Sequence, residues 1–296
     1  MPEPRTLMTG LVVGESPRWH DGRLWFSNWG AQEIVAVDPE GNSEVVTRVP
    51  TTVPFSIDWL PDGRLLVVSG PEGLLLRREP DGSLVTHADL RGVADGWNEI
   101  VVDGRGNIYV NSPRFSLGRE AFRPGILGLV TPDGSFRQVA DDIAFPNGMV
   151  VTPDNQTLIV AESFAGRLSA FDIADDGGLS NRRVWAELGQ GGDGICLDAE
   201  GAVWTPAGGV DQPPACVRVR EGGEVLERIE LDRACFACML GGEDRTTLFL
   251  LGDGVPGPGS AGRAVPLPHR QAAGSPRASA GRRLALARPP WACLDI

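Results

Sequence analysis

The chain has 296 residues, and its 39 acidic residues outnumber its 27 basic residues to give a formal net charge of −12 at pH 7. Because a strongly acidic chain repels phosphate backbones and anionic headgroups, this balance disfavours general binding to nucleic acids or membrane surfaces. No stretch approaches the roughly 20 consecutive apolar residues that span a bilayer, and residues 1–5 do not begin a secretion signal. We therefore expect a cytoplasmic protein with no nucleic-acid or membrane partner. The sequence leaves its oligomeric state open.

Short apolar runs bounded by glycine-containing turns recur along the chain, whereas the periodicity of helices is nearly absent. One class of turn leads directly into an apolar strand and recurs at intervals of roughly 41 to 51 residues, a spacing typical of four-stranded propeller blades. Its members begin at Asp21, Asp62, Asp103, Asp154, Asp198 and Glu243. A second class alternates with the first and would join the outer strands of each blade, with members at Pro39, Pro80, Pro132, Asp176 and Glu221. The two series predict an all-β fold, a six-bladed β-propeller, ahead of a β-solenoid or a Greek-key sandwich.

The sequence changes character after Leu250, where the last blade should be completed. Residues 255–296 contain six arginines and one acidic residue, Asp295, and are rich in Ala, Gly and Pro. This composition favours disorder, and no strand–turn–strand pattern follows. We therefore predict a propeller domain over residues 1–254 and an atypical, disordered tail over residues 255–296, which would leave the sixth blade incomplete. A tail that binds an anionic partner and a shifted reading frame are alternatives.

The five cysteines are an odd number, which fits a reducing compartment better than a disulfide framework. Cys235 and Cys238 have the spacing of a redox motif, but the residues around them resemble a strand. We predict buried, unreactive thiols.

One residue stands at an equivalent place before each turn of the first class. These residues are Glu15, Ser56, Asn98, Asn147, Asp193 and Ala237 or Cys238. Because equivalent positions of a propeller lie on a ring around its channel, four side chains with carboxylate or amide groups should converge there. Converging carboxylates raise each other's pKa unless a cation lies between them, and with amide oxygens they suit a divalent cation. The alternative is that Asn and Asp beside Gly only serve turn geometry.

The sequence does not predict a histidine-rich zinc site or a serine triad. The three histidines are scattered, so they predict no zinc cluster. The chain has no nucleophile-elbow sequence, and Ser16 precedes a proline without an evident base, so a serine triad is not predicted.

Five motifs together resemble the gluconolactonase, senescence-marker-protein (regucalcin) and luciferin-regenerating-enzyme family. They are GESPRW at 14–19, NEIVVD at 98–103, FPNGM at 145–149, AES at 161–163 and DGICLD at 193–198. The resemblance covers about residues 8–252 and implies a six-bladed propeller with one divalent metal in its channel. It further implies that Glu15, Asn147 and Asp193 are metal ligands, that Asn98 is a catalytic residue that holds the substrate, and that Asp193 is also the general base. The cation could be Ca²⁺, Zn²⁺, Mn²⁺ or Mg²⁺.

The chain departs from the regucalcin branch at three places. Gly96 stands where that branch has an arginine that holds the sugar lactone, Glu99 replaces an aspartate, and residues 205–209 replace a strand that often contains tyrosine. The identity of the substrate therefore does not carry over from that branch.

The leading hypothesis is a metal-dependent hydrolase that opens a small, sugar-derived lactone. The cation would polarise the carbonyl, Asp193 would take a proton from the attacking water, and Asn98 would orient the ester. An organophosphate or aryl-ester hydrolase and a non-catalytic calcium-binding propeller are the alternatives. Residues 113–125, which include Phe115, Arg119, Phe122 and Arg123, form either a lid that closes the channel and recognises hydroxyl or carboxylate groups of the substrate, or plain surface.

Overall fold

The computed structural model describes residues 4–51, 53–116, 118–209, 212–252 and 260–266. These residues form six four-stranded antiparallel sheets. Among them, no helix is long and apolar enough to cross a membrane.

The first three sheets follow one another along the chain. The first sheet consists of β2 (Gly14–His20), β3 (Arg23–Asn28), β4 (Glu33–Val37) and β5 (Ser43–Arg48). The second consists of β6 (Phe55–Trp59), β7 (Leu65–Ser69), β8 (Leu74–Arg78) and β9 (Leu84–Asp89). The third consists of β10 (Ile100–Val102), β11 (Ile108–Ser112), β12 (Gly125–Val130) and β13 (Phe136–Ile143).

The remaining sheets continue this order. The fourth consists of β14 (Pro146–Val151), β15 (Thr157–Glu162), β16 (Arg167–Ile173) and β17 (Leu179–Glu187). The fifth consists of β18 (Cys196–Leu197), β19 (Val203–Gly209), β20 (Gln212–Val219) and β21 (Val225–Glu230). The sixth consists of β22 (Cys235–Gly241), β23 (Thr247–Gly252), β24 (Ser260–Pro266) and β1 (Arg5–Leu11).

The first strands of the six sheets surround a common axis. β2 contacts β6, and contacts continue through β10, β14, β18 and β22 back to β2. A ring of sheets with one inner strand each is a β-propeller. The prediction of an all-β propeller is confirmed.

The middle strands are apolar on both faces because each sheet packs between two others. Every residue of β7 and β12 is buried, whereas most residues of the outer strand β5 are exposed. Between the second and third sheets, Leu66 and Leu75 pack with Ile108 and Ile126 in one core cluster. Burial of these side chains stabilises the contact between adjacent sheets. Continuous apolar runs bounded by turns are therefore the pattern of strands covered on both faces.

The turn glycines supply backbone conformations that other residues adopt with strain. Gly63 and Gly82, one from each predicted class of turn, have φ angles of 83° and 86°. This left-handed region is the one in which glycine is favoured, and it explains why Asp-Gly recurs in the sequence.

The last two strands of the sixth sheet come from opposite ends of the described chain: β24 follows β23, whereas β1 is the first strand. β24 pairs with β23, with Arg263 opposite Leu250, and β1 pairs with β24, with Arg5 opposite Ala264. The expectation that no strand after Leu250 completes this sheet is therefore wrong. The free backbone N–H and C=O groups of an edge strand pair with an extended segment whatever its side-chain pattern. β24 lies beyond the predicted domain boundary at 254, and residues 267–296 lie outside the described residues.

The cysteines of the described residues are free thiols. Cys196, Cys216 and Cys238 are buried and Cys235 is half-buried, and the sulfur atoms of Cys196 and Cys238 lie 3.8 Å apart. Burial raises the pKa of the Cys196 thiol well above its usual value, so the reactive thiolate is scarce. The prediction of buried thiols is confirmed for three of them.

Candidate active site

One cavity, of about 830 Å³, collects all four residues predicted to carry the chemistry. Glu15, Asn98, Asn147 and Asp193 line it. Each stands at or just before the beginning of an inner strand: Glu15 and Asn147 are the second residues of β2 and β14, and the other two precede β10 and β18. The cavity therefore opens at the end of the channel where the inner strands begin.

The other two equivalent positions do not line the cavity. Ser56 is buried and donates a hydrogen bond of 2.8 Å to Glu99 Oε2. Ala237 is fully buried and forms an isolated bridge with Gly194, while the neighbouring Phe236 lines the cavity. The alignment of the repeats therefore located the ring of equivalent positions correctly. Local packing decides which of their side chains reach the cavity.

Two inner strands have register shifts in their pairing next to site residues. The pairing of β2 with β3 shifts register between Glu15 and Arg18, and Ser16 between them has a φ of 54°. The pairing of β14 with β15 shifts between Pro146 and Met149, on either side of Asn147. A β-bulge redirects the side chains next to it, so these two bulges set the directions of Glu15 and Asn147.

Gly148 allows two inner strands to approach closely. A Cβ atom on Gly148 would lie 2.5 Å from Asp193 O and 2.6 Å from Ile195 N. Gly194 is equally restricted, because its Cβ would lie 2.4 Å from Ala237 Cβ. Neither glycine has a positive φ. The Asn-Gly and Asp-Gly pairs of the site therefore permit close packing around the channel, and the alternative that they only serve turn geometry is wrong.

Three buried carboxyl groups of the cavity wall, those of Glu15, Glu99 and Asp193, oppose one another's ionisation. Burial raises the pKa of Glu15 well above its usual value, and the charges of Asp193 and Glu99 raise it further. Burial and the charge of Glu99 raise the pKa of Asp193 to about 8, although a hydrogen bond with Asn147 lowers it in part. Close, poorly solvated carboxylates hold protons in this way when no cation balances them.

The amide of Asn147 is held in one orientation. Its Nδ2 donates a hydrogen bond of 3.3 Å to Ser163 Oγ, which donates one of 2.6 Å to Gly192 O. Asn98 Nδ2 donates one of 3.5 Å to Asn147 Oδ1. With Nδ2 engaged, Asn147 presents its Oδ1 on the same side as Asn98, as an acceptor.

Asn111, which the sequence analysis did not single out, organises the third and fourth sheets at the site. It is fully buried, and its Nδ2 donates a hydrogen bond of 2.7 Å to the backbone oxygen of Asn147. Its Oδ1 accepts one of 3.2 Å from the backbone nitrogen of Glu99. The available signal was an amide inside an otherwise apolar strand, because a buried polar side chain requires partners.

Glu99 is the most extensively bonded carboxylate of the site. Its Oε2 accepts the bond from Ser56 and lies 3.6 Å from Arg18 Nη2. Arg18 Nε lies 3.6 Å from Asp58 Oδ2. Burial raises the pKa of Glu99, and the charge of Arg18 offsets part of that rise. Arg18 therefore offsets part of the charge of Glu99 and Asp58, whereas Glu15 and Asp193 have no ion pair among the described residues.

The predicted ligands fit a hard divalent cation by the chemistry of their donors. Among the described residues, no group of three or more His, Cys, Asp or Glu side chains could hold a metal ion. Glu15, Asn147 and Asp193 instead offer two carboxylates and one amide oxygen on the wall of one cavity. Oxygen donors of this kind suit Ca²⁺, Mg²⁺ or Mn²⁺, and a cation would relieve the repulsion that raises both carboxyl pKa values.

The loop that follows β11 contributes five residues to the cavity wall: Pro113, Arg114, Phe115, Ser116 and Arg119. Phe115 lines the cavity, is only 7% exposed, and packs against the rings of Phe122, Phe145 and Phe164 with centroids 5.6 to 5.7 Å apart. Aromatic clusters of this size bury substantial apolar area. The alternative that this loop is plain surface is therefore wrong for this part of it.

Comparison with known proteins identifies the family. A model described as the SMP-30/Gluconolactonase/LRE-like region matches residues 13–252, which agrees with the resemblance predicted from the motifs. The chain is 24% identical over 258 residues to the 6-deoxy-6-sulfogluconolactonase of Pseudomonas putida, covering 81% of this chain and 82% of that protein. It is 26% identical over 194 residues to the diisopropyl-fluorophosphatase of Loligo vulgaris, covering 57% of this chain and 61% of that protein.

A solved structure shares the fold. The calcium-binding protein regucalcin from Agrobacterium tumefaciens superimposes with a TM-score of 0.73 at 22% sequence identity, over 88% of this chain and 92% of that one. This likeness supports the propeller fold.

Proposed function

We propose that this chain, which belongs to the SMP-30/gluconolactonase/LRE-like family, is a divalent-metal-dependent hydrolase that opens a small, sugar-derived lactone. The observation that carries the proposal is the convergence of Glu15, Asn98, Asn147 and Asp193 on one cavity. The name of the Pseudomonas putida relative, a sulfogluconolactonase, supports the substrate class.

Glu15, Asn147 and Asp193 would hold the cation. When bound, a divalent cation polarises a carbonyl oxygen and stabilises the negative charge that develops during ester hydrolysis. The hydrogen bond from Asn147 Nδ2 to Ser163 fixes the amide in the orientation that offers its Oδ1. The bulges in β2 and β14 give Glu15 and Asn147 their directions.

Asp193 would act as the general base. A carboxylate beside the attacking water can take its proton. Burial and the charge of Glu99 raise the pKa of Asp193, and a bound cation would offset that rise and keep Asp193 ionised for this role. Arg18 and Ser56 hold Glu99 in place. Asp193 would then give the proton to the alkoxide oxygen that leaves when the ring opens.

Asn98 would hold the substrate. Its amide carries both donors and an acceptor without adding charge, and its side chain lines the cavity. The only side-chain hydrogen bond that it makes within the described residues is the long one to Asn147, at 3.5 Å. Its backbone is fixed, because Asn98 N donates to Asn111 O at 2.9 Å. The amide is thus positioned by the strand and available to the ester oxygens of a lactone.

A panel of lactones tests the proposal. The protein, reconstituted in turn with Ca²⁺, Mg²⁺, Mn²⁺ and Zn²⁺, is assayed by a pH indicator with aldonolactones and butyrolactones. We expect turnover of an aldonolactone with at least one cation, and its loss in Asp193→Asn. Asp21→Asn is the matched control, because Asp21 is an 81% exposed turn residue. Full activity in Asp193→Asn, or no hydrolysis of any lactone with any cation, would overturn the proposal.

An organophosphate or aryl-ester hydrolase is the second candidate. The relative named diisopropyl-fluorophosphatase favours it, since the same cation and base would polarise a phosphoryl oxygen and activate water. Phosphotriesters and aryl esters in the same panel separate the two activities. A protein that binds calcium and turns over none of these compounds would be a non-catalytic calcium-binding propeller, the third alternative.

A further inference from the structure

Two arginines of one loop line the cavity. Arg114 and Arg119 belong to the cavity wall and are exposed. Among the described residues, no carboxylate forms an ion pair with either guanidinium group. Arg123, on the same loop, contrasts with them: its Nη2 lies 3.1 Å from Asp95 and 3.6 Å from Glu120. In a chain with a net charge of −12, two such cations on the wall of one cavity form a place that attracts an anionic ligand.

The backbone around Arg114 is held in an unusual conformation. Arg114 has a φ of 60°, a region that non-glycine residues seldom occupy and that persists where the surroundings impose it. Its N–H donates a hydrogen bond of 3.1 Å to Ser112 Oγ on β11. On its other side, Phe115 is buried in the aromatic cluster. A residue fixed on both sides presents its side chain to a defined part of the cavity.

Arg119 is also placed by a local turn. Its backbone N–H donates to Ser116 O at 3.1 Å, and Glu120 Oε2 accepts a bond of 2.7 Å from Ser116 N. The Glu120 carboxylate therefore interacts with the backbone N–H of Ser116 and with Arg123. It does not compensate the charge of Arg119.

The distribution of charge within the cavity restricts its ligand. Glu15, Glu99 and Asp193 line the part formed by the inner strands, so an anionic group placed there would be repelled. Arg114 and Arg119 line the part formed by the loop, where an anionic group would be attracted. The remaining carboxylate of the wall, Asp95, is paired with Arg123. A ligand that satisfies both parts has a neutral reacting group at one end and a negative charge at the other.

We propose that Arg114 and Arg119 form an anion subsite, and that the substrate is a lactone with an oxyanion substituent, such as the carboxylate of an aldaric acid lactone. Arginine pairs with carboxylates and similar oxyanions through two parallel hydrogen bonds, which fix the orientation of the ligand. This inference rests on the proposed lactonase function, because it names the substrate class of the same cavity.

Two lactones that differ only at C6 provide the test. D-glucaro-1,4-lactone carries a carboxylate where D-glucono-1,4-lactone carries a hydroxymethyl group. We expect the wild-type protein to favour the anionic lactone in kcat/KM, and this preference to fall about tenfold in Arg114→Gln and in Arg119→Gln, because each removes a charge-assisted contact. Added NaCl should lower the wild-type preference by screening. Arg91→Gln is the matched control and should keep it, since Arg91 is 68% exposed and paired with Asp89, and neither residue lines the cavity.

Binding of the ring-opened acids gives a readout that does not depend on turnover. D-glucarate should bind more tightly than D-gluconate by calorimetry, and Arg114→Gln and Arg119→Gln should remove most of the difference. Equal preference in wild type and both variants, in turnover or in binding, overturns the subsite. Absence of lactone hydrolysis together with arginine-dependent binding of D-glucarate would refute the proposed function and retain the subsite.

Discussion

The hydroxyl oxygens of Ser16 and Ser56 lie 2.6 Å apart, although the two residues come from different sheets. Both are within reach of Glu99 Oε2, at 3.5 Å from Ser16 and 2.8 Å from Ser56. Backbone groups join the same cluster: Ile57 N donates to Ser16 Oγ at 3.1 Å, and Ile100 N donates to Ser56 Oγ at 3.3 Å. Two serines and one carboxylate therefore join the first three sheets next to the cavity.

Ser56→Ala should lower the free energy of unfolding by about 1 to 3 kcal/mol, since Glu99 loses a buried donor and Ile100 N loses an acceptor. Urea unfolding followed by tryptophan fluorescence measures the change. Ser43→Ala is the control, because Ser43 is exposed at the start of β5. Equal losses in the two variants would contradict a stabilising role for the cluster.

Gly148→Ala should disturb the site and the fold together. The new methyl group would meet backbone atoms of Asp193 and Ile195 at 2.5 and 2.6 Å, and backbone atoms move only when the fourth and fifth sheets separate. We expect a loss of roughly 1 to 3 kcal/mol or more in unfolding free energy, with weaker cation binding. Gly96→Ala is the control for stability, because its Cβ would meet only Gly70 O at 3.8 Å. Wild-type stability in Gly148→Ala would show that the close approach of these strands is not required.

Glu162→Gln should reduce stability at neutral pH and have less effect in acid. The Glu162 carboxylate is fully buried and accepts hydrogen bonds from Arg167 Nε at 3.0 Å, Arg182 Nη2 at 2.9 Å and Ala144 N at 2.9 Å. Burial alone would raise the pKa of Glu162, but these bonds outweigh it and the pKa lies below its usual value of 4.5. A lowered pKa means that the ionised group stabilises the fold above its usual pKa, and that this contribution is lost as the pH falls through the lowered value.

Unfolding of Glu162→Gln and wild type at several pH values between neutrality and pH 3 measures this difference. The gap in unfolding free energy should be largest near pH 7 and shrink as wild-type Glu162 becomes protonated. Glu221→Gln provides the control, because Glu221 is 65% exposed and lies 3.7 Å from Arg183. A gap that stays constant with pH would show that the ionisation of Glu162 does not stabilise the fold.

Cation binding should raise the thermal unfolding temperature without any substrate present. A ligand at about 100 times its Kd stabilises the folded state by roughly 2.7 kcal/mol, and Glu15→Gln should remove most of that gain by removing one charged ligand. Calorimetry with Ca²⁺, Mn²⁺ or Mg²⁺, before and after chelation by EDTA, gives the shift. The exposed Asp21→Asn serves as control. A shift that persists unchanged in Glu15→Gln would place the cation elsewhere.

Much of the site could be predicted because the chain repeats. Aligning the repeats located Glu15, Asn98, Asn147 and Asp193 at equivalent positions, and all four line one cavity. The same rule failed for Ser56, which points to Glu99 and not to the cavity. Repeat position fixes where a residue lies on the ring, whereas the local bulges and neighbours fix the direction of its side chain.

The partners of the site residues could not be predicted in this way. Asn111 and Ser163 hold the backbone and the amide of Asn147, and neither occupies the repeated position. Arg114 and Arg119 reach the cavity from a loop that interrupts the third sheet. These contacts join residues from different sheets or from an insertion, so the repeated positions do not locate them. The interruption of the third blade marked the loop of Arg119 as a candidate lid, but not which of its side chains line the cavity.

The class of fold and the residues that line the channel could be predicted from turns, apolar runs and repeat spacing, because these are local properties of the chain. The closure of the ring could not, because it depends on the pairing of β1 with β24 in the sixth sheet. The same holds for the close packing at Gly148, and for the two arginines of one loop that line the same cavity as the buried carboxylates. Each of these features depends on which distant segments of the chain come into contact. The packing of the sheets around one axis fixes those contacts.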